Sequence, residues 1–309
     1  MQAWRQAWQE ALYGARGFYR LGAGPAGHFA TSCHGALGGV FAEAIARLAE
    51  REGLTTIVDV GAGRGELLGH LARQPGRAER LIGIDVVRPA ELPGGVEWRL
   101  AAGGPDPPDL GGLGPALVIA NEWLDVIPCP IAQIDDSGRP REVLVGPDGT
   151  EALGDPLGAA DLAWAQRWWP PTAPGNRVEV GRPRDEALAG LLARLDTGLV
   201  VAIDYGHRRG ERPPGGSLTG YRDGVQVPPT PDGTCDLTAH VAVDSLPHDR
   251  LLRQRDALGE LGLGGEAAAY EMARSDPPRY LAALARSSAL AALRGSGLGD
   301  FWWIVNRVG

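Results

Sequence analysis

Apolar residues in this chain fall into short unbroken runs, separated by segments in which they recur every three or four positions. The runs are Thr56–Val60, Leu81–Asp85, Ala116–Ala120 and Leu199–Ile203. Their continuity predicts strands buried on both faces of a parallel sheet. Val96–Leu100 reads as a further strand, Arg250–Gln254 as a short one and Phe301–Val308 as a closing one. Helical spacing appears over residues 3–16, over 40–51 (Val40, Phe41, Ala44, Ile45 and Leu48 on one stripe), over 64–73, over 186–195 and over 278–293, with a helix turn at 257–261. Trp4 and Trp8 stand four apart, which predicts an N-terminal helix docked by its aromatic face. Strands alternating with single-crossover helices give an α/β architecture with an open, mostly parallel sheet. In such sheets ligands bind beyond the carboxyl ends of the strands.

The alternation breaks in two places. Residues 131–135 and 141–146 alternate around Asp136-Ser137-Gly138, a hairpin signal, and Trp164, Trp168 and Trp169 then precede Pro170-Pro171. A connection of this length predicts an insertion at about 131–180. Residues 206–240 hold a second insertion, rich in Gly and Pro and read as loop up to about 235. The chain is therefore expected to be a single domain over 1–309, with an N-terminal helical extension at 1–52 and two inserted segments capping the sheet.

The densest signal follows the first strand. Gly61-Ala62-Gly63-Arg64-Gly65 links it to a helix, and Asp85 ends the next strand. A strand, a glycine turn, a helix and an acid at the second strand end form half of a nucleotide-binding sheet. The spacing is G-x-G-x-G, and Glu66 occupies the third glycine position of the dinucleotide pattern G-x-G-x-x-G. A carboxylate there would repel the pyrophosphate that the helix start should attract. A P-loop is also absent, and the chain has no lysine. A ligand with a ribose but no phosphate fits better, and S-adenosyl-L-methionine is such a ligand. Its product would be S-adenosyl-L-homocysteine. Asp59, Gly61, Ala62, Gly63, Gly65 and Asp85 are the residues expected to hold it.

Composition narrows the remaining possibilities. At 309 residues with a formal charge of −8, the chain lacks the broad basic surface that nucleic-acid binding would need. All 30 cationic residues other than histidine are arginine, so no single Arg, Gly or Ala carries much weight. Cys33, Cys129 and Cys235 are odd in number and far apart, which makes neither a disulfide framework nor a metal site and predicts a reducing cytoplasm. No apolar run is long enough to span a bilayer, and no signal sequence is evident.

The strand ends are acidic. Ala116–Ala120 runs into Asn121-Glu122-Trp123-Leu124-Asp125, and Leu199–Ile203 into Asp204-Tyr205-Gly206-His207. A guanidinium acceptor stays protonated, with pKa above ~12. Carboxylates can orient it through bidentate charge-assisted hydrogen bonds. Glu122, with Asp125 or Asp204 in support, suits that role. A hydroxyl acceptor would instead need a base, for which His207 and His240 are available.

Five segments together resemble the MidA family of S-adenosylmethionine-dependent methyltransferases. They are Gly27-His28-Phe29-Ala30-Thr31-Ser32, Val58–Gly65, Ala120–Pro128, Ile203–His207 and Asp236-Leu237-Thr238-Ala239-His240-Val241, in the family's order. Ser217–Arg222 and Gln254–Leu258 match more weakly. The resemblance implies a class I methyltransferase, Rossmann-like fold: a mostly parallel seven-stranded sheet with helices on both faces and inserted cap segments. It adds Asn121 and Thr31 to the cofactor residues and His240 to the catalytic set of Glu122, Asp125 and Asp204. A mitochondrial member of that family assembles respiratory complex I and dimethylates an arginine of a partner subunit. The implied activity is therefore N-methylation of an arginine in a protein or peptide. The sequence departs from the family at four places, of which the first two lie near the expected pocket. Cys33-His34-Gly35 stands where the family carries Pro-Glu, Asp59 replaces a Glu, Val126-Ile127 replaces Ala-Leu, and Phe301-Trp302 replaces Phe-Lys. They bear on the substrate more than on the cofactor. A small-molecule O- or N-methyltransferase and a weakly catalytic assembly factor are the alternatives, and the oligomeric state stays open, a homodimer included.

Overall fold

The computed structural model describes residues 1–20, 32–74, 78–264 and 271–309. The central sheet has seven strands: β1 (Thr56–Val60), β2 (Arg80–Asp85), β3 (Val96–Leu100), β4 (Ala116–Asn121), β5 (Gly198–Asp204), β6 (Arg250–Arg253) and β7 (Trp302–Val308). Their spatial order is β6-β7-β5-β4-β1-β2-β3. The five strands from β5 to β3 pair in parallel. The sheet is mixed, because β7 runs antiparallel to both β5 and β6. The order reverses between β1 and β4. That switch point opens the crevice in which a ligand can sit beyond the strand ends.

Side-chain alternation along the strands divides the core into two layers. Ile57, Leu81, Leu117, Ile119, Leu199, Val201 and Ile203 face helices α2 (Gly35–Glu52), α3 (Glu66–Leu71), α6 (Gln254–Glu260) and α7 (Pro277–Arg294). Val58, Ile82, Val118, Ala120, Val200 and Ala202 face α5 (Arg182–Leu192) and the loop carrying Leu110 and Leu113. Phe41, Ile45 and Leu48 on α2 are almost fully buried. Each such side chain contributes roughly 1.5–3 kcal/mol of apolar burial.

Element boundaries differ from the sequence reading for local reasons. Helix α3 begins at Glu66 rather than residue 64, because Gly65 caps it in the left-handed conformation at φ 84°. Helix α5 begins at Arg182, four residues early. Pro183 sits in its first turn, where a missing N–H costs nothing.

Between β4 and β5 the chain builds strands Ile131–Ile134, Pro140–Val145, Glu151–Pro156 and Arg177–Glu179, with helix α4 (Ala159–Trp168) between the last two. Gln2–Ala3 completes this five-stranded sheet. The Gly/Pro-rich stretch after β5, read as loop, instead holds a three-stranded antiparallel sheet of Thr219–Arg222, Val225–Val227 and Asp236–Thr238. Helix α1 (Trp4–Tyr13) ties the two inserted sheets together. Trp4 Nε1 donates to Glu151 at 2.6 Å, and Trp8 Nε1 donates to the Leu237 carbonyl at 3.0 Å. Both indoles are buried, so the aromatic face is indeed docked. Trp164 and Trp169 also pack into a core, with Trp164 bonded to Asp185 at 2.7 Å. No helix among the described residues is long and apolar enough to cross a membrane.

Candidate functional site

The glycine turn after β1 folds back over the end of β2. Gly61 N–H donates to the Ile84 carbonyl at 2.9 Å, and Gly63 N–H donates to Asp85 Oδ2 at 2.7 Å. Gly61 and Gly63 take φ values of 74° and 59°, which L side chains adopt at a cost of roughly 1–2 kcal/mol. A Cβ on Gly63 would also come within 3.0 Å of Glu66 Oε2. Glu66 accepts from the Arg64 N–H at 2.9 Å, so a carboxylate does occupy the helix start where a pyrophosphate would lie. Asp85 holds both Gly63 N–H and Val86 N–H. Burial outweighs these bonds and pushes its carboxyl up to about 6.

Two cavities of about 550 Å³ each meet at this turn. Both are lined by Gly61, Gly63, Arg64, Tyr19, Glu122 and Val126. One extends past Asp85 and Val86 toward Gly103 and Asp106. The other contains Asp59, Asn121, Asp125, Tyr205, Asp236 and His240.

Glu122 stands on the boundary and belongs to both walls. Its φ of 52° is a strained value for a non-glycine residue, costing about 1–3 kcal/mol. The turn is held nonetheless: Glu122 N–H donates to the Ile203 carbonyl at 2.8 Å, and Asn121 Nδ2 donates to Glu122 Oε1 at 3.1 Å. Burial, followed by the Asp125 charge, raises the Glu122 carboxyl to about 8. Asp125 is buried, and its Oδ2 accepts from Tyr205 Oη and from Thr238 Oγ1. Its Oδ1 is buried with no hydrogen-bond partner among the described residues, and so is Asn121 Oδ1. Such orphaned acceptors beside a cavity are open for a ligand's donors. Burial also raises Asp59, helped by the charges of Asp85 and Glu66.

Asp204 proves to be a support rather than a cavity residue. One of its oxygens accepts from Leu124 N–H and Asp125 N–H at 2.9 and 3.1 Å, and the other from Tyr205 N–H at 3.0 Å. It is fully buried and lines neither cavity. His207 is likewise turned away. Its Nδ1 meets Arg212 Nη1 at 2.7 Å, its ring stands edge-on to Trp169, and burial lowers its pKa to about 3. His240 does line the cavity, with its ring 5.2 Å from that of Tyr205. Ala62 and Gly65 lie in the turn itself, Ala62 on the second cavity's wall. Thr31 lies outside the described residues.

Several residues around the site escaped the sequence reading. Tyr205, Tyr19 and Asp236 line the cavity, with Tyr19 Oη donating to Asp236 Oδ1 at 2.7 Å. Arg184 on α5 is buried and donates to the carbonyls of Ile127, His240 and Asp125 at 3.2, 2.9 and 2.7 Å. It clamps the Glu122–Asp125 turn to the second inserted segment. Nothing in the local sequence distinguishes it from the other arginines. Tyr205 was signalled only by its place directly after a strand end.

The residues present fit S-adenosyl-L-methionine. A carboxylate ends β2 where a ribose could be held, the glycine turn lets a ligand approach the backbone, and buried acceptors lie beyond it. The comparisons agree. The structure of an uncharacterized protein from Burkholderia thailandensis matches with a TM-score of 0.72 at 21% identity, covering 99% of this chain and 87% of the other. A relative of the same superfamily from that organism, bound to S-adenosyl-homocysteine, matches with a TM-score of 0.71 at 20% identity, covering 98% and 87%. At such identities these likenesses establish the fold. No curated protein matches the chain. The model of the family described as "Putative S-adenosyl-L-methionine-dependent methyltransferase" matches residues 72–251, more than half of the sequence. The chain belongs to this family of methyltransferases, whose cofactor is S-adenosyl-L-methionine.

Proposed function

We propose that this protein N-methylates an arginine side chain of a protein or peptide, as its resemblance to the MidA family implies. The observation that carries this reading is the position of Glu122, a strained carboxylate on the wall shared by the two cavities. Asp59, the glycine turn, Asp85 and Asn121 would hold the cofactor, which supplies a methyl group on a cationic sulfur. Glu122 and Asp125 would receive the guanidinium and aim one nitrogen at that methyl. Positioning of this kind accounts for much of the acceleration available to an in-line displacement. The carboxylates also localise positive charge on the nitrogens that do not react, leaving more electron density on the one that does. A guanidinium arriving beside Glu122 would lower its raised carboxyl and ionise it, and the carboxylate so formed can take the proton released once the new N–C bond has formed. No disulfide joins the three cysteines among the described residues, which supports a reducing, cytoplasmic setting.

Glu122→Gln is the test. It keeps the side chain's shape and removes its charge. S-adenosyl-homocysteine binding should persist, while turnover on an arginine peptide falls about a hundredfold. Unchanged turnover removes Glu122 from the mechanism. Because His240 also reaches the cavity, a hydroxyl acceptor with His240 as base is the second reading. It requires a basic limb in the pH–rate profile that disappears in His240→Ala.

A further inference from the structure

The cavity that holds Glu122 and Asp125 has a second acidic wall. Asp236 lies at the start of the strand Asp236–Thr238 in the second inserted sheet and is buried. Its neighbour across the sheet is Tyr221, which lines the same cavity. Asp236 and Asp125 are built alike. Asp125 has one oxygen tied by Tyr205 and Thr238 and the other without a donor. Asp236 has Oδ1 tied by Tyr19 at 2.7 Å and lines the same cavity. Two tyrosine-anchored aspartates thus line one cavity from different parts of the chain, and Asp125 has an oxygen unspent among the described residues. Burial raises the Asp236 carboxyl first, and the charges of Asp125 and Glu122 raise it further, which places the three within electrostatic reach of one another.

Buried acceptors left unmatched are costly, and a ligand that brings donors to several at once recovers that cost. An ammonium offers three donors from one compact centre. A guanidinium offers five in a rigid plane, spread widely enough to serve several carboxylates at once. We infer that Asp236, anchored by Tyr19, is a further carboxylate of the acceptor site, shares the grip on a guanidinium with Glu122 and Asp125, and so selects a planar cation. The inference rests on the proposed arginine acceptor and adds a residue to it. It also gives the N-terminal extension and the second insertion a direct part in specificity, since they contribute Tyr19 and Asp236.

Calorimetry on the full chain saturated with S-adenosyl-homocysteine tests this. The probes are N-acetyl-arginine amide and its neutral counterpart N-acetyl-citrulline amide. The wild type should prefer the arginine probe, and Asp236→Asn should weaken that preference by about tenfold, as expected for losing one charge-assisted bond. A parallel loss of affinity for both probes would mark a merely structural role and overturn the inference. So would an undiminished preference in Asp236→Asn, or a wild type that binds both probes equally. Should Asp236→Asn fail to fold, Tyr19→Phe decides: it leaves the carboxylate in place but unanchored, and a reduced preference supports the inference while an unchanged one overturns it. A wild type that binds the arginine probe selectively yet methylates no arginine peptide would refute the proposed reaction and leave the role of Asp236 standing.

Discussion

The acidic crevice should make the fold itself sensitive to pH, and Glu122→Gln isolates the effect. The Glu122 carboxyl is raised from an ordinary value of 4.5 to about 8, chiefly by burial. Between those values the folded chain keeps a proton that the unfolded chain has lost. The folded state therefore binds more protons than the unfolded state, so the free energy of unfolding falls as pH rises through this window. One proton contributes up to ~1.4 kcal/mol per pH unit. Glu122 retains some solvent access, which trims the figure, so the expected loss between pH 6 and 7.5 is about 1–2 kcal/mol. Glu122→Gln has no proton to lose and removes a charge that also raises Asp204 and Asp236. Its stability should decline less steeply over the same interval. Urea titrations of both proteins at pH 6, 6.5, 7 and 7.5, without cofactor, give the two slopes. Parallel slopes would refute the reasoning, because they would mean that Glu122 has already ionised at pH 6 or never does within the range.

Two further outcomes follow from the same geometry. If Asp85 accepts from the ribose hydroxyls, it does so more strongly as a carboxylate, so affinity for S-adenosyl-homocysteine should drop as pH falls through about 6, and Asp85→Asn should bind it about tenfold more weakly with a flatter pH profile, both read by calorimetry. Asp204→Asn places an amide among three backbone N–H groups that now share a carboxylate, which should cost about 2 kcal/mol in urea denaturation; a loss below ~0.5 kcal/mol would show that the turn does not depend on Asp204.

What could be read from the sequence was what local physics dictates. The strands β1, β2, β4 and β5 announce themselves as apolar runs because both faces of a parallel sheet are covered. The glycine turn is legible because its backbone takes conformations that other residues resist. Glu122 and Asp125 follow from lying just past a strand end. The inserted strands were partly missed because Glu151–Pro156 is mostly exposed and Val225–Val227 nearly so, leaving no hydrophobic alternation to read. Asp204 illustrates another limit. Its position at a strand end is visible in the sequence, but whether its oxygens face the crevice or the neighbouring backbone depends on how β5 abuts the turn after β4. Tyr19 and Asp236 are 217 residues apart. No spacing rule joins them; only the docking of α1 onto the second inserted sheet does.

That docking bears on why a stable fold tolerates such a crevice. Glu122, Asp125, Asp204 and Asp236 are all pushed upward, with burial as the leading cause, and neighbouring carboxylate charges raise Glu122, Asp204 and Asp236 further. A fold selected for stability alone would replace some of them by neutral residues of similar shape. Asp204 is justified by three backbone bonds, whereas Asp125 Oδ1 has no partner among the described residues. Arg184 offsets part of the charge, but its hydrogen bonds go to carbonyls rather than to any carboxylate. The remaining imbalance lies on the cavity side, where an incoming cation can relieve it. A cationic ligand bound there would return the stability withheld, whereas a neutral ligand of the same shape or an empty site gains nothing from those carboxylates.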